Sequence, residues 1–299
     1  MRILGFALLV VVGLAPAGTG AAGSGLDTDA IGAAAGVAAS TDGTGVVRLA
    51  WPRDDVPVTV NGSPLPAAAG LTSVTTLTPG PAGVLLVAEV IAFEDEVTPA
   101  VDAALAQGLA VSGLASRLPV ARPPLQVLHL EGQGEAATLA AATKAVWDAA
   151  RAVRQHSPRP AERLAGDPPK PGALDTAALE KRLGTALRAE GDVATATIAR
   201  EVTVHRMRLG AAQGAGTRLW LVGGNEHAAV SGEIAMAAGE VQAVVRALRA
   251  GGLHLTGLHG HLVGEAPPLL FAAFWGAGPA DALVAAVRGA LDAQHAVRR

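Results

Sequence analysis

The residues best suited to chemistry lie near the C-terminus, in the string Leu258-His259-Gly260-His261-Leu262-Val263-Gly264-Glu265. Side chains two apart on a strand point to one face, so His259 and His261 can present two imidazoles side by side. Neutral imidazole is a common ligand for transition metals, and zinc takes it together with carboxylate oxygens. Glu265, Glu240 and Glu233 are the carboxylates that could complete such a site. Glu240 has a plainer use, because an acid at the start of a helix is favoured by the helix dipole alone. The same holds for Glu96. A plainer use also exists for the histidine pair, exposed or hydrogen-bonded within the protein with no metal.

Other strings carry less. There is no G-x-S-x-G elbow, P-loop, H-E-x-x-H pair or dinucleotide fingerprint. Gly210 to Gly216 is glycine-rich but lacks a following helix, so it reads as a turn. Asn225-Glu226-His227 reads as a solvated hairpin tip, and His205, in a strand beside Arg206 and Arg208, as an exposed edge or an anion contact. His254 has strand parity opposite to His259 and is expected to face elsewhere.

These residues need a scaffold, and the composition limits what it is. At roughly 150 residues per domain, 299 residues suggest two domains. Half the residues are hydrophobic and 16% are charged, which excludes a disordered chain. Twenty-three basic against 26 acidic residues leave no basic footprint for nucleic acid. Cysteine is absent, which excludes disulfides, thiolate metal sites, cysteine nucleophiles and a lipid-modified cysteine. With aromatics at 3% and no tyrosine, the core must be built from Ala, Val and Leu.

Residues 1–22 read as a signal peptide. Arg2 precedes an apolar stretch from Ile3 to Pro16 that is too short to span a bilayer. Small residues from Ala17 to Ala22 follow, with cleavage expected near Ala22. An uncleaved anchor is the alternative. After cleavage the protein would be secreted or periplasmic, with no further membrane segment.

Beyond this leader the chain is a duplication. Val58-Thr59-Val60 matches Val202-Thr203-Val204, and the alignment continues without a gap at an offset of 144. Glu89 falls on Glu233, Glu96-Val97 on Glu240-Val241, Gly113-Leu114 on Gly257-Leu258, and Pro123-Pro124-Leu125 on Pro267-Pro268-Leu269. Roughly a third of the aligned positions are identical, against about a tenth expected from composition. Residues 23–153 form the first repeat, 154–172 a proline-rich linker and 173–299 the second repeat. The alternative for the linker is an ordered loop packed across both copies.

In the second repeat Asp175 is a good cap for a helix over Thr176 to Ala189, ended by Gly191. Strands are expected at Val193 to Ile198, Val202 to Leu209, Thr217 to Val222, Ala228 to Met236, Leu253 to Leu258 and Leu269 to Trp275. Glu240 to Ala250 has an apolar face of Val241, Val244, Val245 and Leu248, and Ala280 to Gln294 closes the unit as a helix. The expected fold is α+β, in two tandem copies of an antiparallel-sheet-plus-helices sandwich.

The segment Thr256-Gly257-Leu258-His259-Gly260-His261-Leu262-Val263-Gly264-Glu265, with Gly232-Glu233 and Gly239-Glu240-Val241 before it, resembles the LppY/LpqO-type bacterial family. That resemblance implies a tandem repeat of unknown function and export, with no established activity. The family pattern has a Gly-Asp pair, an Asp-Glu-Val, a Leu-His-Asn-His segment and a later histidine. Here Glu89 and Glu233 replace the aspartate, and Ala115 and Arg117 replace the first repeat's histidine pair. The first repeat keeps the later histidine as His129, and the second has Ala273 there. If the copies packed face to face, His129 could join His259 and His261 in a composite site.

Two readings follow. One is a non-catalytic, exported module that binds a small ligand or a divalent metal such as zinc. The other is a metal-dependent hydrolase acting on an envelope or extracellular substrate, with Glu240 or Glu265 as base.

Overall fold

Each repeat opens on a helix stopped at its N-terminus by an aspartate. Asp27 accepts a hydrogen bond from Ala30 N–H at 2.9 Å and begins α1 (Thr28–Ala35). Asp175 does the same for Ala178 N–H at 3.1 Å and begins α4 (Thr176–Leu183). Satisfying an orphan N–H in this way is what makes Asp a favourable N-cap. α4 ends earlier than its spacing suggests, because Gly184 takes a left-handed conformation (φ 73°) and closes it after two turns.

A computed structural model describes residues 25–297 apart from Asp42; the expected signal peptide lies outside the described residues. After α1 the first repeat runs through β1 (Ala39–Thr41), β2 (Val47–Pro52), β3 (Val58–Val60), β4 (Ser63–Leu65), β5 (Thr72–Gly80) and β6 (Gly83–Phe93). It continues with α2 (Glu94–Ala106), β7 (Ala110–Ala115), β8 (Ala121–Arg122), β9 (Leu125–Gly134) and α3 (Ala136–His156). The second repeat follows α4 with β10 (Arg188–Glu190), β11 (Val193–Ala199), β12 (Val202–Val204), β13 (Met207–Leu209), β14 (Gly216–Gly223) and β15 (Ala228–Met236). It finishes with α5 (Val241–Ala250), β16 (His254–Gly260), β17 (Leu270–Gly278) and α6 (Ala280–Val297).

The two repeats build one sheet of twelve strands, in the order β1-β2-β5-β6-β9-β7-β16-β17-β15-β14-β11-β10. Its two halves are related strand for strand, and they meet where β7 runs antiparallel to β16 with Leu114 opposite Leu258. The α+β class and the antiparallel sheet are as expected. The copies join edge to edge in one shared sheet, with the helices of each repeat packed on the same face.

Alternation along β6 shows how the sheet is covered. Leu86, Ala88 and Val90 enter the main core with residues of α2 and α3, while Leu85 and Val87 between them face solvent. On the helix side of the second repeat, Val241, Val244, Val245 and Leu248 of α5 are all buried. Each such burial stabilises the fold by about 1.5–3 kcal/mol. On the other side, among the described residues, two small hairpins cover the sheet. The β3–β4 hairpin, joined by β8, lies over Leu71, Ile91, Phe93 and Val127. The β12–β13 hairpin lies over Ala235, Leu269 and Phe271. His205 and Arg206 are therefore not strand residues; they form the two-residue turn between β12 and β13, with φ of 48° and 67°. Asn61 and Gly62 occupy the same turn in the first repeat. Two positive φ values in a two-residue hairpin loop match the twist of the strands it joins.

Short backbone pairing at the seam is reinforced from the helix side. The Gln242 side chain donates to Val111 O at 2.8 Å and accepts from Val111 N–H at 3.0 Å. Arg249 pairs with Asp102, and Arg246 donates to Leu105 O at 2.8 Å. Arg154 belongs to α3, and the chain beyond it is tied to both repeats. Ala161 N–H reaches Asp95, Lys170 N–H reaches His227 O, and Asn225 N–H reaches Ala173 O. The Asn225 turn is thus a docking point for the linker.

Candidate metal centre

Register places the polar residues on the face opposite the helices. In the second repeat Thr197, Arg218, Glu233, Ala273 and Gly257 form one row across five strands. The aligned row of the first repeat is Val74, Glu89, His129 and Gly113. His259 stands on β16 and His261 just past its end, and both turn towards Glu233. Ligand atoms of Glu233, His259 and His261 all lie within 4.8 Å of one another. His261 Nε2 is 3.6 Å from Glu233 Oε1.

The arrangement is held from below. The His261 ring stacks on Phe271 at 3.5 Å between centroids with an interplanar angle of 6°, and Phe271 is fixed in the core beneath the β12–β13 hairpin. The two histidine rings are 5.1 Å apart. Burial pushes the His261 pKa below its ordinary value, the neighbouring His259 and Arg218 push the same way, and Glu233 opposes them. The ring is therefore neutral at pH 7, the form in which imidazole offers a lone pair to a metal.

The other candidates do not join this cluster. Glu265 is buried in the loop after β16 and accepts from Leu269 N–H at 3.1 Å. Glu240 is buried, capping Ala237 N–H at 2.9 Å, accepting from Gln294 at 2.8 Å and pairing with Arg200 at 3.1 Å. Glu96 does the same work in the first repeat. It accepts from Phe93 N–H at 3.0 Å and from Arg53 at 2.7 and 2.9 Å, and pairs with Arg154 at 2.7 Å. At both positions the acid holds a helix start in place. His129 lies two strands from His259, about 10 Å away at roughly 4.8 Å per strand. The face-to-face packing that would have brought it to His261 does not occur, because the repeats meet at their edges.

Arg117 is the residue that explains the first repeat. It takes the place of His261, and its guanidinium sits 2.5 Å from Glu89 Oε2. His129 Nδ1 is 3.9 Å from the other Glu89 oxygen. A permanent cation thus neutralises the carboxylate that a metal ion would need. Alignment at the offset of 144 sets Arg117 against His261, but only the cross-sheet register reveals its ion pair.

A cleft of about 990 Å³ opens elsewhere, between α2, the linker segment 161–168 and the start of β16. It shares no residue with the histidine cluster. His254, one of its walls, joins the repeats through Nδ1 and Thr98 Oγ1 at 2.8 Å. Burial lowers the His254 pKa, Arg249 lowers it further, and Ala165 and Asp102 oppose the shift. With the folded pKa below the unfolded value of about 6.5, the unfolded chain takes up the proton first as pH falls. Stability is therefore expected to drop as the pH is lowered through about 6.5. Urea unfolding at pH 7.5 and 5.5 should show a smaller acid loss in His254→Gln than in wild type; equal losses would refute this.

A twelve-stranded sheet built from two α+β repeats, with a His/His/Glu cluster in the second, defines a duplicated-domain protein. The family model described as Domain of Unknown Function (DUF1259) matches residues 29–149 and again 177–293, and the chain belongs to that family, once per repeat. Comparison with curated proteins and with solved structures finds no match. No helix among the described residues is long and apolar enough to cross a membrane.

Proposed function

We propose that this protein is a metal-binding module, holding one divalent transition ion such as zinc on Glu233, His259 and His261. The observation that carries this reading is the convergence of three ligand atoms within 4.8 Å on an open sheet face. Two imidazoles and one carboxylate are a ligand set used for zinc and for non-haem iron, with further coordination positions left to solvent or ligand. Binding is favoured over hydrolysis by the two carboxylates that would have to serve as base. Glu240 is committed to Arg200 and Gln294, and Glu265 to Leu269 N–H. We place the module outside the cytoplasm, as an LppY/LpqO-like exported protein, on the strength of Arg2, the short apolar stretch and the small residues before Ala22.

Titration with Co²⁺ tests the ligand set, because its visible spectrum reports coordination. Glu233→Gln should weaken Co²⁺ binding by at least about tenfold, more than 1.4 kcal/mol, while Glu89→Gln leaves it unchanged. Equal effects of the two substitutions would count against the site.

A further inference from the structure

Besides Arg117 in place of His261, three aligned positions around the cluster differ between the repeats. Arg218 stands where the first repeat has Val74, Ala273 where it has His129, and His259 where it has Ala115. Together these changes clear a floor and place a cation beside it.

The floor lies between Glu233 and the seam, over Ala273 and Gly257. In the first repeat the same space is filled, since a Cβ added to Gly113 would come within 3.1 Å of the His129 ring. In the second repeat a Cβ on Gly257 would meet the Ala273 methyl at 3.4 Å and the His259 ring at 3.8 Å. There the surface is backbone and one methyl group, walled by His259 on one side and by Glu233 and Arg218 on the other.

Arg218 is only loosely held. Its Nη2 is 3.7 Å from Glu233 Oε2, too far for a hydrogen bond, and its Nε is buried with no acceptor. A guanidinium carries its donors in a planar fork that matches the oxygens of carboxylate and phosphate groups. With a divalent ion on neutral imidazoles, the charges of Glu233 and Arg218 cancel and the ion's two positive charges stay uncompensated. Such a site attracts an anion.

We propose that the shelf over Ala273 and Gly257 binds an oxyanion group of a small ligand, with one oxygen on the metal and another on the Arg218 guanidinium. This inference rests on the metal-binding reading and names the ligand class that site would take. Phosphate and carboxylate share the required chemistry.

The test uses the Co²⁺-loaded protein titrated with inorganic phosphate and, in parallel, with acetate. Wild type should bind at least one of the two. Arg218→Val, the residue of the first repeat, should retain Co²⁺ and bind the same anion at least about tenfold more weakly, with Arg218→Lys between them. Equal anion affinity in wild type and Arg218→Val, or no anion binding to the loaded wild type, would overturn the proposal and leave the metal site standing. Failure of wild type to bind Co²⁺ would overturn both.

Discussion

Glu96→Ala is expected to destabilise the protein by about 3–5 kcal/mol, the cost of breaking a buried ion pair from one side. Glu96 is 0% and Arg53 1% exposed, and Arg154 approaches the same carboxylate from the other side. Removing the acid leaves two guanidinium groups facing each other out of reach of water, with only Asp55 and Asp95 to offset them. The Phe93 N–H at the start of α2 loses its acceptor as well. Glu240→Ala should cost less, because Arg200 is 15% exposed and can be solvated in part. Urea midpoints at pH 7 measure both. A loss under about 1 kcal/mol for Glu96→Ala would place this cluster with ordinary surface pairs and refute the buried-network account.

The second large effect concerns the ligands. His259→Ala combined with His261→Ala removes two of the three proposed metal contacts and is expected to lower zinc affinity by at least about a thousandfold, or about 4 kcal/mol. Both side chains are on the solvent face, and neither is part of the buried core, so the fold should survive. Unfolding curves within about 1 kcal/mol of wild type would confirm this, leaving the affinity loss to the ligands alone. Undiminished zinc binding would place the ion elsewhere.

Much of this architecture is legible in the sequence because the duplication makes each repeat a check on the other. Asp175 announces a helix start, and the 3.6-residue spacing of Val241, Val244, Val245 and Leu248 marks the buried face of α5. The His259-x-His261 pair is visible as two imidazoles on one face. Which edges of the two repeats meet is not visible, because the alternation along β7 and β16 reads the same whether an edge is paired or bare. That choice decides where His129 falls. Glu240 and Glu265 could not be separated from Glu233 by spacing, since only the cross-strand register puts Glu233 opposite Ala273 and beside the histidines. Arg53, Glu96 and Arg154 are too far apart in the chain for any local pattern to join them, and Arg218 reads as one more polar strand residue until its neighbours are known.

On the proposed reading the second repeat alone holds a metal ion, on Glu233, His259 and His261. Anomalous diffraction at the zinc edge from crystals grown with zinc decides the matter. One peak per chain is predicted, bonded to the three side chains at about 2.0–2.2 Å, with none at Glu89 and His129. A map with no peak at this cluster, or with its peak beside Glu89, would contradict it.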